Sequence, residues 1–233
     1  MTVLFECDFE DNKLDKFYVS NNGIHRCYVT SDLAHSGRRC AATWVTPVSW
    51  LGANAGVRLS YMAHKDTPPD IPDNLPDTAT YSAWYYLQRP YKTNWSVIMQ
   101  WKQIRPTTFE RDPTLLIALI GDGTQMAIKI SSKVGDDGQY RLGAGVDLAM
   151  GPMFVPIGKW FELKTTYTWS WQTTGSVTSY LDGELLWDIR DIRTEFDRPF
   201  ISHPRQVVWG NYAEYTWPSS LGVYIDDVKI EVE

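Results

Sequence analysis

Three stretches of the chain carry residue types at spacings that suit chemistry. The first is Glu6-Cys7-Asp8-Phe9-Glu10. Alternate residues of an extended strand share a face, so this spacing predicts three carboxylates side by side. Retaining glycoside hydrolysis asks for such a set, an acid and a nucleophile ~5 Å apart. The second is Trp95-Ser96-Val97-Ile98-Met99-Gln100-Trp101-Lys102. Strict alternation gives Ser96, Ile98, Gln100 and Lys102 one face, and Trp95, Val97, Met99 and Trp101 the other. The aromatic face reads as packing, and the Gln100/Lys102 face as the floor of a groove. The third is Tyr224–Ile230, where the same period sets Asp226 beside Tyr224, Val228 and Ile230. A carboxylate among apolar neighbours requires a partner.

The elements that must position these groups are short alternating segments separated by Gly, Pro, Asn and Asp. The pattern predicts strands at Thr2–Phe9, Arg26–Thr30, Cys40–Val45, Gly56–Met62, Thr78–Gln88, Trp95–Ile104 and Thr114–Ile120. It continues with Gln125–Ser131, Gln139–Gly143, Trp160–Trp169, Ser176–Leu181, Leu185–Ile189, Gln206–Tyr212 and Leu221–Val232. Turn signals such as Gly121-Asp122-Gly123 and Asp182-Gly183 stand between them. Only Ile189–Phe196 suits a short helix, and Lys65–Thr78, with four prolines, reads as a long loop. Many short strands with no repeat and no linker predict one all-β domain, residues 1–233, built as a two-sheet sandwich.

Composition narrows the partners. The chain has 233 residues, 43% hydrophobic and 21% charged, which describes a globular chain with a sizeable core. No apolar run reaches the ~20 residues of a membrane-spanning helix, so no membrane insertion is expected. A net charge of −6 argues against a nucleic-acid partner. It leaves open neutral polymers, and acidic ones if a local basic groove exists. Eleven Trp and 13 Tyr exceed what packing alone asks, and flat rings with a polar tip suit the C–H faces of sugars. The tract Thr168-Trp169-Ser170-Trp171-Gln172 reads either as a sugar-stacking edge or as a Trp pair closing the sandwich end. Cys7, Cys27 and Cys40, an odd number, read as three buried thiols or as one disulfide with a thiol left over. The opening residues MTVLFECDFEDN show no export signal.

The terminal segments resemble those of calcium-stabilised jelly rolls of the concanavalin-A-like type, including carbohydrate-binding modules and lyase domains. There the first strand often ends in Phe-Glu-Asp/Asn and the last carries Asp-Asp-Val, here Phe9-Glu10-Asp11 and Asp226-Asp227-Val228. The segment Ser31–Gly37 is similar to the Ser-Gly turn of such modules. The resemblance implies a structural Ca²⁺ bound by Glu10 and Asp226, with Asp227 and backbone carbonyls assisting.

The middle of the chain resembles the heparin-lyase-like and alginate-lyase-like polysaccharide lyases. The matching segments, in the expected order, are Arg58, Ser82-Ala83-Trp84, Gln100-Trp101-Lys102, Gly158-Lys159-Trp160, Leu181-Asp182-Gly183-Glu184 and Gly210-Asn211-Tyr212. The resemblance implies a polysaccharide held in a concave-sheet groove. Arg58 and Gln100 would neutralise a uronate carboxylate, Tyr212 would act as base, acid or both, and Lys102 would add positive charge beside it. Trp84, Tyr81 and Tyr215 are the sugar-stacking candidates. Where the alginate-lyase-like enzymes place His after Gln-x, this chain has Lys102, a poor base unless desolvated. None of its histidines (His25, His35, His64, His203) falls there, although His64 follows the Arg58 strand. Three readings therefore stand: a lyase-like carbohydrate-binding domain with catalysis open, a non-catalytic virion decoration or host-glycan adhesion protein, and a glucanase-type glycosidase. The first two imply an extracellular or virion-surface location, and homo-oligomer or particle assembly as a partner class.

Overall fold

The computed structural model describes residues 1–17, 19, 26–45, 55–62, 75–104, 111–139, 146–196, 205–213 and 221–233, with backbone alone for 55–62, 104, 111–112 and 152–153. Every regular element among these residues is a strand. Seven strands precede the middle of the chain: β1 (Thr2–Cys7), β2 (Arg26–Thr30), β3 (Cys40–Val45), β4 (Ala55–Met62), β5 (Thr78–Leu87), β6 (Lys92–Ile104) and β7 (Arg111–Asp122). Seven follow: β8 (Met126–Ser132), β9 (Val146–Phe154), β10 (Trp160–Thr168), β11 (Gly175–Leu181), β12 (Glu184–Ile192), β13 (Arg205–Ala213) and β14 (Leu221–Val232).

The strands form two antiparallel sheets. One is eight-stranded in the order β12-β11-β10-β5-β14-β3-β2, with β1 on β14 as well. Strand β14 offers one edge to two partners in succession, Leu221–Ile225 to β3 and Val228–Val232 to β1. The other sheet is six-stranded, β4-β13-β6-β7-β8-β9. This is the jelly-roll sandwich that the sequence predicts.

Alternation supplies the core. Tyr81, Ala83, Tyr85 and Leu87 of β5 meet Met99 and Trp101 of β6, Ile117 of β7 and Trp209 of β13 in one apolar cluster. Trp101 stacks on Tyr167 of β10 across the sandwich, ring centres 4.7 Å apart and planes within 4°. All three cysteines are free and buried, and burial pushes the Cys7 thiol up to about 11, so they pack as small hydrophobes.

Two departures from the predicted elements have local causes. Ile189–Phe196 holds no helix, because β12 runs on to Ile192 as the hairpin partner of β11. Strand β9 escapes the pattern because Gly151-Pro152 interrupts it, and a sheet-edge strand tolerates a proline that a central one does not. Of the predicted Gln139–Gly143 strand, residues 140–143 lie outside the described residues, and so does most of the Lys65–Thr78 loop.

Candidate active site

The outer face of the six-stranded sheet gathers the polar groups. In β13, Val207 and Trp209 point into the core, so Gln206, Val208, Gly210 and Tyr212 take the outer face. Val208 pairs with Gln100, Gln206 with Lys102, and Tyr212 with Val97, all on β6. On the other flank, Gly210 pairs with Arg58 of β4. Arg58, Tyr212, Gln100 and Lys102 therefore stand on three adjacent hydrogen-bonded strands.

A β-bulge adds Val97 to this face, opposite Tyr212. The β6–β7 register slips between Val97 and Met99, and the β13–β6 register slips between Trp209 and Tyr212. The extra residue reverses the alternation, as bulges do. Val97 joins Gln100 on the outer face and Ile98 joins the core cluster, the reverse of strict alternation. Gln100 and Lys102 keep their predicted side, and Met99 and Trp101 keep theirs.

Although they face away from the core, Gln100 and Lys102 are only 3% and 5% exposed. Tyr212 is half-buried, its ring 5.3 Å from that of Trp95. Gln100 and Tyr212 line one depression together with Val97, Val208, Gly210 and Asn211. Its empty volume of ≈ 130 Å³ is below the ~300–1,000 Å³ of ligand pockets. The slot is shallow, with no room to enclose even a water-sized group, so only its mouth is open to a ligand.

Sequence reasoning overlooked Asn211. Its Oδ1 accepts the Ser96 hydroxyl at 2.8 Å, and its Nδ2 donates to the Leu221 carbonyl of the opposite sheet at 3.2 Å. The signal was a buried Asn within an apolar strand, where that residue is disfavoured. It fixes the strand one residue before Tyr212.

Other candidates lie elsewhere. Tyr81 is a core residue, fully buried with its ring edge-on to Trp101, and is corrected from its stacking role. Trp84 is also corrected, because β5 belongs to the eight-stranded sheet. Trp84 faces outward there and carries the His35 ring stacked 3.7 Å above it. Period-2 alternation assigns a face but not a sheet. Tyr215, His25, His64 and His203 lie outside the described residues. Trp169 closes the sandwich end, packed on Tyr167 with Arg205 over it. The Glu6–Glu10 set does not share a strand face, since β1 ends at Cys7 and Phe9 adopts a left-handed φ of 59°. Asp8 caps the turn by accepting the Glu10 amide, and Glu10 turns toward Arg38 and Arg39.

Glu10, Asp226 and Asp227 clasp one turn, residues 31–39. A Glu10 oxygen accepts the Arg38 and Arg39 amides at 2.6 and 2.7 Å. A Cβ at Gly37 (φ +59°) would lie 2.6 Å from that carboxyl, so the close approach requires glycine. Asp226 accepts the His35 and Ser36 amides, and Asp227 pairs with the His35 ring at 2.7 Å and accepts the Ser36 hydroxyl. A second bulge, at Asp226-Asp227, puts Asp226 on the outer face with Tyr224 while Val228 and Ile230 enter the core, correcting the single face drawn from strict alternation. Asp226 is nonetheless fully buried, and burial, opposed by those amides, pushes its carboxyl up to about 6. These oxygens suit a hard cation, which would offset that buried charge. Among the described residues no three His, Cys, Asp or Glu side chains are grouped to hold a metal alone, so main-chain carbonyls would have to complete the shell.

Residues 34–229 match the profile of a family described as polysaccharide lyase. The chain belongs to that family. Its fold agrees with solved lyases at low identity. The endo-β-1,4-glucuronan lyase from the fungus Trichoderma reesei is 16% identical, with a TM-score of 0.74 over 100% of this chain and 96% of that one. A PL-14 alginate lyase from Aplysia kurodai is 10% identical, TM-score 0.68, over all of both chains. The alginate lyase vAL-1 from a Chlorella virus is also 10% identical, TM-score 0.65, again over all of both. No curated protein sequence matches the chain. This polysaccharide lyase family member thus carries Arg58, Gln100, Lys102 and Tyr212, of its candidate residues, on one sheet of the sandwich.

Proposed function

We propose that the protein cleaves a uronic-acid polymer by β-elimination on the outer face of the six-stranded sheet. One observation carries this reading: Arg58, Tyr212, Gln100 and Lys102, spread over 155 positions of sequence, stand on three neighbouring strands, with Gln100 and Tyr212 in one slot. Gln100 donates a hydrogen bond to the uronate carboxylate, and Arg58 supplies a cation for the same group. Charge builds on that carboxylate as the C5 proton leaves, so both contacts strengthen in the transition state. The Tyr212 phenolate takes the C5 proton, the electron pair forms the C4–C5 double bond, and the C4–O bond breaks. The phenol then returns the proton to the departing oxygen. Lys102, paired with Gln206 six residues along β13 from Tyr212, adds positive charge to the same face outside the slot rather than beside the phenol. An extracellular or virion-surface site of action goes with such a substrate.

Incubation with polyglucuronate, alginate and heparin-type chains should raise the absorbance of the unsaturated uronate for at least one polymer. No rise on any of them, with binding retained, would leave a non-catalytic glycan-binding domain.

A structural Ca²⁺ on Glu10, Asp226 and Asp227 belongs to the same proposal, the ion serving to fasten the 31–39 turn. Chelation should lower the thermal midpoint by ~5–10 °C, as loss of a ligand at about 100 times its Kd does in a chain of this length. An unchanged midpoint removes the ion and leaves the hydrogen bonds as the only clasp.

A further inference from the structure

Two unbroken register rows cross the outer face of the six-stranded sheet from the slot to its far edge. Tyr212 pairs with Val97, Val97 with Ala118 of β7, and Ala118 with Lys129 of β8. Val208 pairs with Gln100, Gln100 with Leu116, Leu116 with Ser131 and Ser131 with Asp147 of β9. Side chains directly opposite in antiparallel strands share a face. Ile128 and Ile130 enter the core, so Lys129 and Ser131 lie on the same surface as Gln100 and Tyr212. Between them, Ala118 projects only a methyl group and is fully buried, while Leu116 of the second row is partly exposed.

The far end of these rows is charged. Lys129 Nζ bonds both Asp147 oxygens at 3.0 and 3.2 Å, and Ser131 donates its hydroxyl to Asp147 at 2.5 Å. The Lys129 side chain is 18% exposed and Asp147 51%. Lys133 follows Lys129 by four residues, just past the end of β8; burial lowers its ammonium, repulsion from Lys129 adds to this, and Asp147 opposes it. For Asp147, burial acts upward, but the bonds from Ser131 and Lys129 prevail and hold its carboxyl below the usual range.

We propose that Lys129, with Lys133 near it, is a distal subsite that binds a carboxylate of the polymer three sugars beyond the one in the slot. The inference rests on the lyase reading. Adjacent strands are ~4.8 Å apart, so Lys129 on β8 lies about 14 Å across the sheet from Tyr212 on β13. A pyranose advances its chain by roughly one strand spacing. A polyuronate laid across the strands with one carboxylate in the Gln100/Tyr212 slot therefore brings a later carboxylate to Lys129. Asp147 holds the ammonium in place and competes with the incoming carboxylate, so it tunes affinity downward. A protein of net charge −6 gains in this way a local basic end to an otherwise acidic surface.

The test measures binding to long-chain polyglucuronate and to its trisaccharide, with Tyr212→Phe as the non-cleaving parent. Lys129→Gln should weaken polymer binding about tenfold, equivalent to about 1.4 kcal/mol, and flatten its salt dependence. The trisaccharide, too short to span both places, should bind unchanged. Asp147→Asn should bind the polymer more tightly, which a purely structural salt bridge does not predict. Lys129→Gln binding like the parent, or Asp147→Asn weakening binding as much as Lys129→Gln, overturns the subsite and leaves the lyase reading intact. A parent that binds no acidic polymer, together with wild type that cleaves none, overturns both. Thermal midpoints of the variants identify any loss that comes from unfolding.

Discussion

Tyr212→Phe is expected to reduce eliminative cleavage by about 10³-fold or more, because general acid–base transfer is worth ~10²–10⁴ and Tyr212 carries the proton in both directions. The substitution removes one oxygen and leaves the ring that packs 5.3 Å from Trp95. The bulge, the Val97 pairing and the Asn211 anchor do not depend on the hydroxyl, so the thermal midpoint should hold within about 1 °C, as for exposed substitutions of a few tenths of a kcal/mol. Polymer binding should stay within a few-fold. Initial rates by unsaturated-uronate absorbance, beside a melting curve and a binding isotherm, separate these outcomes. A Phe variant retaining more than a tenth of wild-type turnover would move the proton to another group. Gln100→Ala supplies the contrast. It removes a contact to charge rather than the proton carrier, so its loss should lie nearer the ~10²–10³ of a single oxyanion donor.

The largest expected stability effect lies at the end of the sandwich. Arg205, first residue of β13, donates from Nε to Glu195 at 2.7 Å and from a terminal nitrogen to Asp77 at 2.6 Å. Its guanidinium lies 5.3 Å over the Trp169 ring. Glu195 also accepts from Gln103, whose own carbonyl oxygen accepts the Phe196 amide. The Arg205 and Glu195 side chains are only 13% and 7% exposed. Arg205→Met leaves the Glu195 charge buried without its main counter-ion, a class of change that costs ~3–5 kcal/mol. In a chain of this length that lowers the midpoint by about 10 °C. Adding Glu195→Leu should recover much of the loss, since an apolar pair often replaces a buried ion pair at little cost. A single-variant loss under ~1 kcal/mol in chemical denaturation would show that water reaches the pair.

Much of the fold was legible in the residues. Thirteen strands stand where alternation and turn signals put them, and β2, β3 and β14 match to the residue. The fourteenth, β9, was hidden by Gly151-Pro152. The site was legible in part, for a related reason. Alternation assigned Gln100 and Lys102 their face because the register slip between Trp101 and Lys102 puts its extra residue on β7, and the β13 pairing runs unbroken there. It misplaced Val97, Ile98 and Asp226 because each adjoins a bulge, and an extra residue leaves no mark in hydrophobic pattern. It could not separate Trp84 from Tyr212 either. Both lie on outward faces of well-patterned strands, and only long-range pairing decides that β5 joins β14 while β13 joins β6. The Lys129–Asp147 pair went unseen because its carboxylate sits on the one strand that the pattern missed.

The pairing of Thr2 with Val232 brings both chain ends to one corner, on the sheet that does not carry Gln100 and Tyr212. A tag, anchor or second module attached at either end therefore leaves from the sheet opposite the one that carries Gln100 and Tyr212. Immobilising the protein through either terminus should leave a long substrate free to cross the other sheet. The same proximity makes the molecule suited to circular permutation, with the ends joined by a short linker and a new opening cut at the exposed Asp182-Gly183 hairpin.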